Sequence, residues 1–174
     1  FNKVNDILWT KQKLGEINIK EVFIKRDYQM GKYFNLDIEK GLFNDLFVKF
    51  LYDEIEMVDG IEDLLLYLSD KYKIFTASNG IYKMQENRLK KSNLDKYFDK
   101  IFVSDEIGYE KPDKKFFQKI MDLTKFSNDD LIMIGDSIKS DIIGAKNSKI
   151  KSIYFNKDGK KISDENFTYQ VKNL

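Results

Sequence analysis

Between Val58 and Phe155 the sequence alternates short apolar runs with segments of helical periodicity, and this alternation constrains the fold more than any other feature. Ile61, Leu64, Leu65 and Leu68 recur at helical spacing, with Asp59 or Gly60 at the start. Lys73–Ala77 is then a short apolar run closed by Ser78-Asn79-Gly80, the pattern of a buried parallel strand. A helix is predicted over about 81–92 and a second strand at Ile101–Val103. A further helix is marked by Phe116, Phe117, Ile120 and Met121, and a third strand by Leu131–Ile134. A helix over about 138–147 leads to a fourth strand at Ile150–Phe155, and a short edge strand is expected near Phe167–Val171. Repeated strand–helix units predict a parallel sheet with right-handed crossovers, because parallel neighbours need a long connection that lies on the sheet face.

The chain ahead of this region reads differently. Val4, Ile7, Leu8 and Leu14 fit one helical face, and Leu42, Phe43, Leu46, Phe47, Phe50 and Leu51 fit another, with Gly15 and Gly31 as breaks. No strand pattern is present. We therefore expect a helical domain over residues 1–57 and an α/β domain over residues 58–174.

Composition narrows the chemistry. Lys and Arg number 30 against 29 Asp and Glu, so a net charge of +1 offers no electrostatic footprint for nucleic acid or an anionic membrane. The chain has no Cys, which removes disulfides, thiolate nucleophiles and Cys-ligated zinc. It has no His, which removes Ser-His-Asp triads and imidazole metal sites. Carboxylates, Lys, hydroxyls and backbone N–H groups remain, and carboxylates favour hard cations such as Mg²⁺. No apolar run approaches the roughly 20 residues of a membrane-spanning helix, and no signal-peptide pattern opens the chain, so a cytoplasmic location is expected. The first residue is Phe1 and a helical pattern starts at once, which points to a segment upstream.

Ligands of open α/β sheets bind beyond the carboxyl ends of the strands, so those positions hold the candidate site. Gly135-Asp136-Ser137-Ile138-Lys139-Ser140-Asp141 puts one carboxylate at a strand tip and another at the opening of the next helix. The pair can hold Mg²⁺, or it can simply complement a helix N-terminus. Ser78-Asn79-Gly80 offers a hydroxyl and N–H groups to a phosphate, or serves as a helix cap. Lys111, in Lys111-Pro112-Asp113, is either a point charge for a phosphate or a surface lysine.

Taken in order, Ser78-Asn79-Gly80, Glu110-Lys111-Pro112-Asp113 and Gly135-Asp136-Ser137 with Asp141 resemble the motifs of the haloacid dehalogenase superfamily. Asp141-Ile142-Ile143-Gly144-Ala145 is similar to the usual continuation, and the resemblance covers Val58 to Phe155. It implies a Rossmann-like parallel core with an all-helical cap, and a phosphomonoester hydrolase acting on a small-molecule phosphate ester. By the resemblance Ser78 binds the transferring phosphoryl group, helped by the Asn79 backbone, and Lys111 neutralises charge on the phosphate and the nucleophile. Asp136 ligates Mg²⁺, with Asp141 as a second ligand or as its supporting partner. Asn5, Leu8, Trp9, Gly15 and Ile17 further resemble the cap opening of the pyrimidine 5′-nucleotidase branch, where Trp9 either stacks on a base or belongs to the core. Oligomeric state is not legible.

The family nucleophile is an Asp in an Asp-x-Asp pattern that ends the first, central strand, and residues 1–174 contain no Asp-x-Asp. Asp129-Asp130 and Asp53-Glu54 are adjacent pairs, which on a strand point to opposite faces. The expectation is a core lacking that strand, with the tips at Ser78 and Asp136 unpaired and roughly 10 Å apart. Residues 1–174 alone are then expected to be inactive and poorly stable, since an open slot leaves backbone groups unpaired. A phosphomutase or dehalogenase relative, or an inactive phosphate-binding protein, are the alternatives on this scaffold.

Overall fold

The computed structural model describes residues 2–13, 16–17, 19–37, 46, 49, 55–159 and 166–174. The chain divides into two compact units, Phe1–Ile55 and Glu56–Leu174. No described helix is long and apolar enough to cross a membrane.

The first unit contains α1 (Asn2–Lys13) and α2 (Ile19–Phe34). Leu8, Ile17 and Val22 are buried together, and Val4 and Trp9 pack against them. Trp9 meets Phe23 edge-on at 6.4 Å, so the indole is tied into this small core. Arg26 lies over the Phe23 ring at 5.2 Å and donates to Asn5 Oδ1 at 3.4 Å. Two sequence expectations change here. Ile7 is 46% exposed, off the face that Leu8 buries. Gly31 does not break α2. Asn35, at φ 53, ends it instead: Leu36 N–H reaches the Gly31 carbonyl at 2.9 Å and Asn35 N–H reaches the Lys32 carbonyl at 3.4 Å. That is a Schellman closure, and Asn tolerates its left-handed residue. The apolar segment from Leu42 to Leu51 lies outside the described residues apart from Leu46 and Lys49.

The second unit runs α3 (Ile61–Ser69), β1 (Phe75–Ser78), α4 (Tyr82–Lys91), β2 (Lys100–Val103), α5 (Ser104–Ile107), α6 (Lys114–Thr124), β3 (Ile132–Gly135), α7 (Ile143–Asn147), β4 (Lys151–Phe155) and β5 (Tyr169–Val171). A single π-turn, Ile138–Ile142, leads into α7. The α6 start follows from its sequence: Asp113 caps it by accepting Lys115 N–H at 2.9 Å. Phe116, Phe117 and Ile120 then form its buried stripe.

β1 pairs with β2 in parallel, with Ser78 opposite Val103. β3 pairs with β4 and β4 with β5, also in parallel, with Gly135 opposite Tyr154. β1 and β3 do not pair among the described residues; they belong to a two-stranded and a three-stranded sheet. Both nevertheless pack on one core. Phe75 and Ala77 of β1, Leu131 ahead of β3, and Met133 of β3 rest on Phe102, Ile107, Phe116, Phe117, Ile120, Ala145 and Ile150. The period-2 alternation sends Ile132 and Ile134 to the other face, where they are 58% and 42% exposed. This arrangement agrees with the parallel α/β core lacking a central strand that the family resemblance implied.

Two local devices yield predictions. Asp99, just ahead of β2, accepts Lys73 Nζ at 2.7 Å and Ile74 N–H at 2.9 Å. These bonds hold its carboxyl below the usual carboxylate range. A depressed folded-state pKa means the stabilisation is present at neutral pH and is lost as pH falls through that value. Asp99→Asn should therefore lower the melting temperature at pH 7, by an amount set by about 1 kcal/mol or less. The gap from wild type should close on acidification below about pH 4; an equal gap at pH 3 and pH 7 would contradict this. At Gly144, an added Cβ would lie 2.5 Å from Phe117 Cε2 and 3.1 Å from Pro112 Cα. Gly144→Ala should cost about 1–3 kcal/mol in urea unfolding, because neither a packed ring nor backbone yields easily.

Candidate active site at the strand tips

At the tip of β1 the turn Ser78-Asn79-Gly80 precedes α4, but neither Ser78 nor Asn79 caps that helix. Asp105, at the start of α5, supplies the cap: its carboxylate oxygens accept Tyr82 N–H at 3.0 and 2.9 Å. Gly80 N–H donates to Ser104 Oγ at 3.0 Å. Two of the N–H groups expected to cradle a phosphate are thus satisfied by the tip of β2. Ser78, half-buried, makes no side-chain hydrogen bond among the described residues and keeps its hydroxyl available.

The Asn79 side chain turns to Lys111 instead. Its Nδ2 donates to the Lys111 carbonyl at 2.8 Å, and its Oδ1 accepts Lys111 N–H at 2.8 Å. Lys111 is no surface lysine. It is 7% exposed, and its ammonium donates to the Ala77 carbonyl and to Asp141 Oδ1, the latter at 2.7 Å. One cation therefore links the last turn of β1 to the segment after β3. An unpaired ammonium at this depth would be unfavourable by several kcal/mol, so the charge of Asp141 is needed for Lys111 to sit there.

The β3 tip explains how Asp141 comes within reach. Ser137 opens the π-turn, and its hydroxyl accepts Ser140 N–H at 3.3 Å. Asp141 folds back over the strand end, where a Cβ on Gly135 would lie 2.4 Å from Oδ2 and 2.6 Å from its Cβ. Only glycine leaves that space. Asp141 Oδ2 then accepts Ser137 N–H at 3.1 Å, and Oδ1 accepts Ser140 Oγ–H at 3.3 Å as well as Lys111. π-Turns of this kind are frequent at functional sites, where they re-aim a side chain.

The two carboxylates proposed for metal thus differ in availability. Asp141 is 5% exposed, with both oxygens engaged, whereas Asp136 is exposed and makes no hydrogen bond among the described residues. Among the described residues no group of three or more acidic side chains forms a metal cage. Mg²⁺ does not require one, since it keeps several waters and binds through one or two carboxylates plus substrate phosphate oxygens. Asp136 fits such a ligand, and Asp141 fits a supporting group that fixes Lys111 beside it. Sequence reasoning passed over Ser104 and Asp105. Their signal was their place directly after the apolar run Ile101–Val103, at a strand's carboxyl end like the others.

Comparison with known proteins places this geometry in a family. The haloacid dehalogenase-like hydrolase family matches residues 10–155. The chain is 28% identical over 176 residues to the Bacillus subtilis HAD-hydrolase YfnB, spanning all of this chain and 75% of that protein. It is 31% identical over 155 residues to the pyrimidine 5′-nucleotidase PynA of Streptococcus pneumoniae, covering 88% of this chain and 65% of the relative. Against the pyrimidine 5′-nucleotidase YjjG of Escherichia coli the identity is 28% over 163 residues, covering 90% and 69%. The chain thus spans about two thirds to three quarters of these relatives. The crystal structure of YfnB bound to magnesium superposes with a TM-score of 0.87 over 99% of this chain and 76% of that one. A family match across most of the sequence, with the strand-tip geometry above, means that the chain belongs to the haloacid dehalogenase-like hydrolases.

Proposed function

We propose that this chain carries the phosphate-holding part of a Mg²⁺-dependent phosphomonoester hydrolase whose substrates are small phosphate esters, nucleoside 5′-monophosphates among them. The observation that supports it most is the buried Lys111 ammonium, held between Asp141 and the carbonyl of Ala77, the residue before Ser78. A cation fixed at the tip of the strand that also carries an available hydroxyl suits a phosphoryl group, since catalysis of phosphoryl transfer is mainly positioning and electrostatic stabilisation of equatorial oxygens. The nucleotide reading draws on the names of two relatives, both pyrimidine 5′-nucleotidases.

In this proposal Ser78 Oγ–H and the Asn79 N–H donate to phosphate oxygens. Lys111 Nζ sets positive charge against the same group, and Asp141 keeps that ammonium from swinging away. Asp136 would hold Mg²⁺, which when bound neutralises charge on a phosphate oxygen. The route through an aspartyl-phosphate needs a carboxylate nucleophile, and because residues 1–174 contain no Asp-x-Asp, the proposal assigns it to a segment outside them, on a strand between β1 and β3. Reading the codons upstream of Phe1 tests that assignment; an in-frame stretch with no Asp-x-Asp would end the aspartyl-phosphate route for this protein.

The activity itself is tested with the full-length protein. It should release phosphate from p-nitrophenyl phosphate and from nucleoside 5′-monophosphates with Mg²⁺ present, and chelation should abolish release. Lys111→Ala should lower kcat/KM about 100-fold or more, as loss of a fixed charge at the reacting group does. Asp136→Asn should raise the Mg²⁺ concentration required. Phosphate release indifferent to chelation and to Lys111→Ala would contradict the proposal.

A further inference from the structure

We infer that the Asn79 side chain is a positioning residue that sets Lys111 in place, a role distinct from any contact of the Asn79 backbone with phosphate. The inference rests on the reading of Lys111 as the cation of the phosphate site. The side-chain amide and the Lys111 main chain form a closed ring of two hydrogen bonds, each 2.8 Å long. Among the described residues no other group bonds to the Lys111 N–H or carbonyl. The ammonium at the far end of the Lys111 side chain donates to the Ala77 carbonyl, two residues before Asn79. Residues 77–79 therefore grip Lys111 at both ends, main chain and ammonium.

The grip has an anchor of its own. Ser104 and Asp105 hold Gly80 and Tyr82 from the other side, so the turn that carries Asn79 is fixed independently of Lys111. Asn79 is an exposed residue, yet both ends of its amide are engaged. Few side chains can replace it, because the position must donate and accept at once. A carboxylate of the same shape accepts Lys111 N–H but faces the Lys111 carbonyl with a second acceptor, while a protonated carboxylic acid regains the donor. That difference makes Asn79→Asp a pH-dependent version of the clamp.

The test uses full-length wild type, Asn79→Ala and Asn79→Asp, with two readouts. Labelling of Lys111 by an amine-reactive reagent, followed by mass spectrometry, reports the hold on the side chain and needs no activity. Calorimetric binding of inorganic phosphate reports the site. Both variants should label Lys111 about tenfold faster while exposed Lys83 is unchanged, and should bind phosphate about tenfold more weakly at pH 7. The Asn79→Asp deficit relative to wild type should close as pH falls through the new carboxyl's titration near 4. If Asn79→Ala does not fold, Asn79→Asp, which preserves shape, carries the test alone. An unchanged Lys111 labelling rate, or an Asn79→Asp deficit that does not move with pH, overturns the inference. Wild type that binds no phosphate, with Lys111 labelling responding as expected, upholds the clamp and instead overturns the phosphatase reading.

Discussion

The ion pair between Lys111 and Asp141 is the contact on which the strand-tip arrangement depends. It joins two sheets that share no hydrogen bond among the described residues, with the β1 tip contributing the Ala77 carbonyl and the β3 turn contributing the carboxylate. Both side chains are 7% exposed, so each charge is tolerable only because the other is present. Such pairs add little net stability compared with a well-packed apolar replacement. Their effect is geometric, because removing either partner leaves a buried charge and the surrounding groups must rearrange.

Everything else at the site serves that geometry. Gly135 lets Asp141 fold over the strand end, and the π-turn from Ser137 aims it. Asn79 holds the Lys111 main chain, and Ser104 with Asp105 holds the turn that carries Asn79. The result is a hydrogen-bonded frame with two side chains that make no hydrogen bond among the described residues, the Ser78 hydroxyl and the Asp136 carboxylate.

Much of the α/β unit was legible because apolar runs and helical stripes have different periods, and each strand is bounded by turn residues or charges. Phe116, Phe117 and Ile120 fall where the helical stripe put them, and the run from Lys73 to Ala77 contains the start of β1. The strand-tip rule also named Ser78, Asp136 and Asp141 as candidates, and Lys111 was named from its place ahead of a helix and from the family resemblance. Pairwise context was not legible. Lys111 reads as a surface lysine until the fold brings an acid 30 residues away to its ammonium. The Asn79 amide and the Asp105 cap likewise depend on partners 32 and 23 residues distant. Gly31 misled because glycine's helix penalty is local, about 1 kcal/mol, and the Schellman closure at Asn35 sits one turn further on. Ile7 misled because one helical face was drawn too wide, and Leu8 alone of the two turns inward.

The central claim, that Lys111 and Asp141 act as one unit, is tested most directly by a double-mutant cycle in urea unfolding with Lys111→Met and Asp141→Asn. Each single substitution should be destabilising by about 3–5 kcal/mol, because it leaves the remaining charge buried without its partner. The double variant should cost less than the sum of the two, with an interaction energy of about 1–3 kcal/mol. Additive single effects would contradict the account, since two side chains that destabilise independently do not tie the end of β1 to the segment after β3.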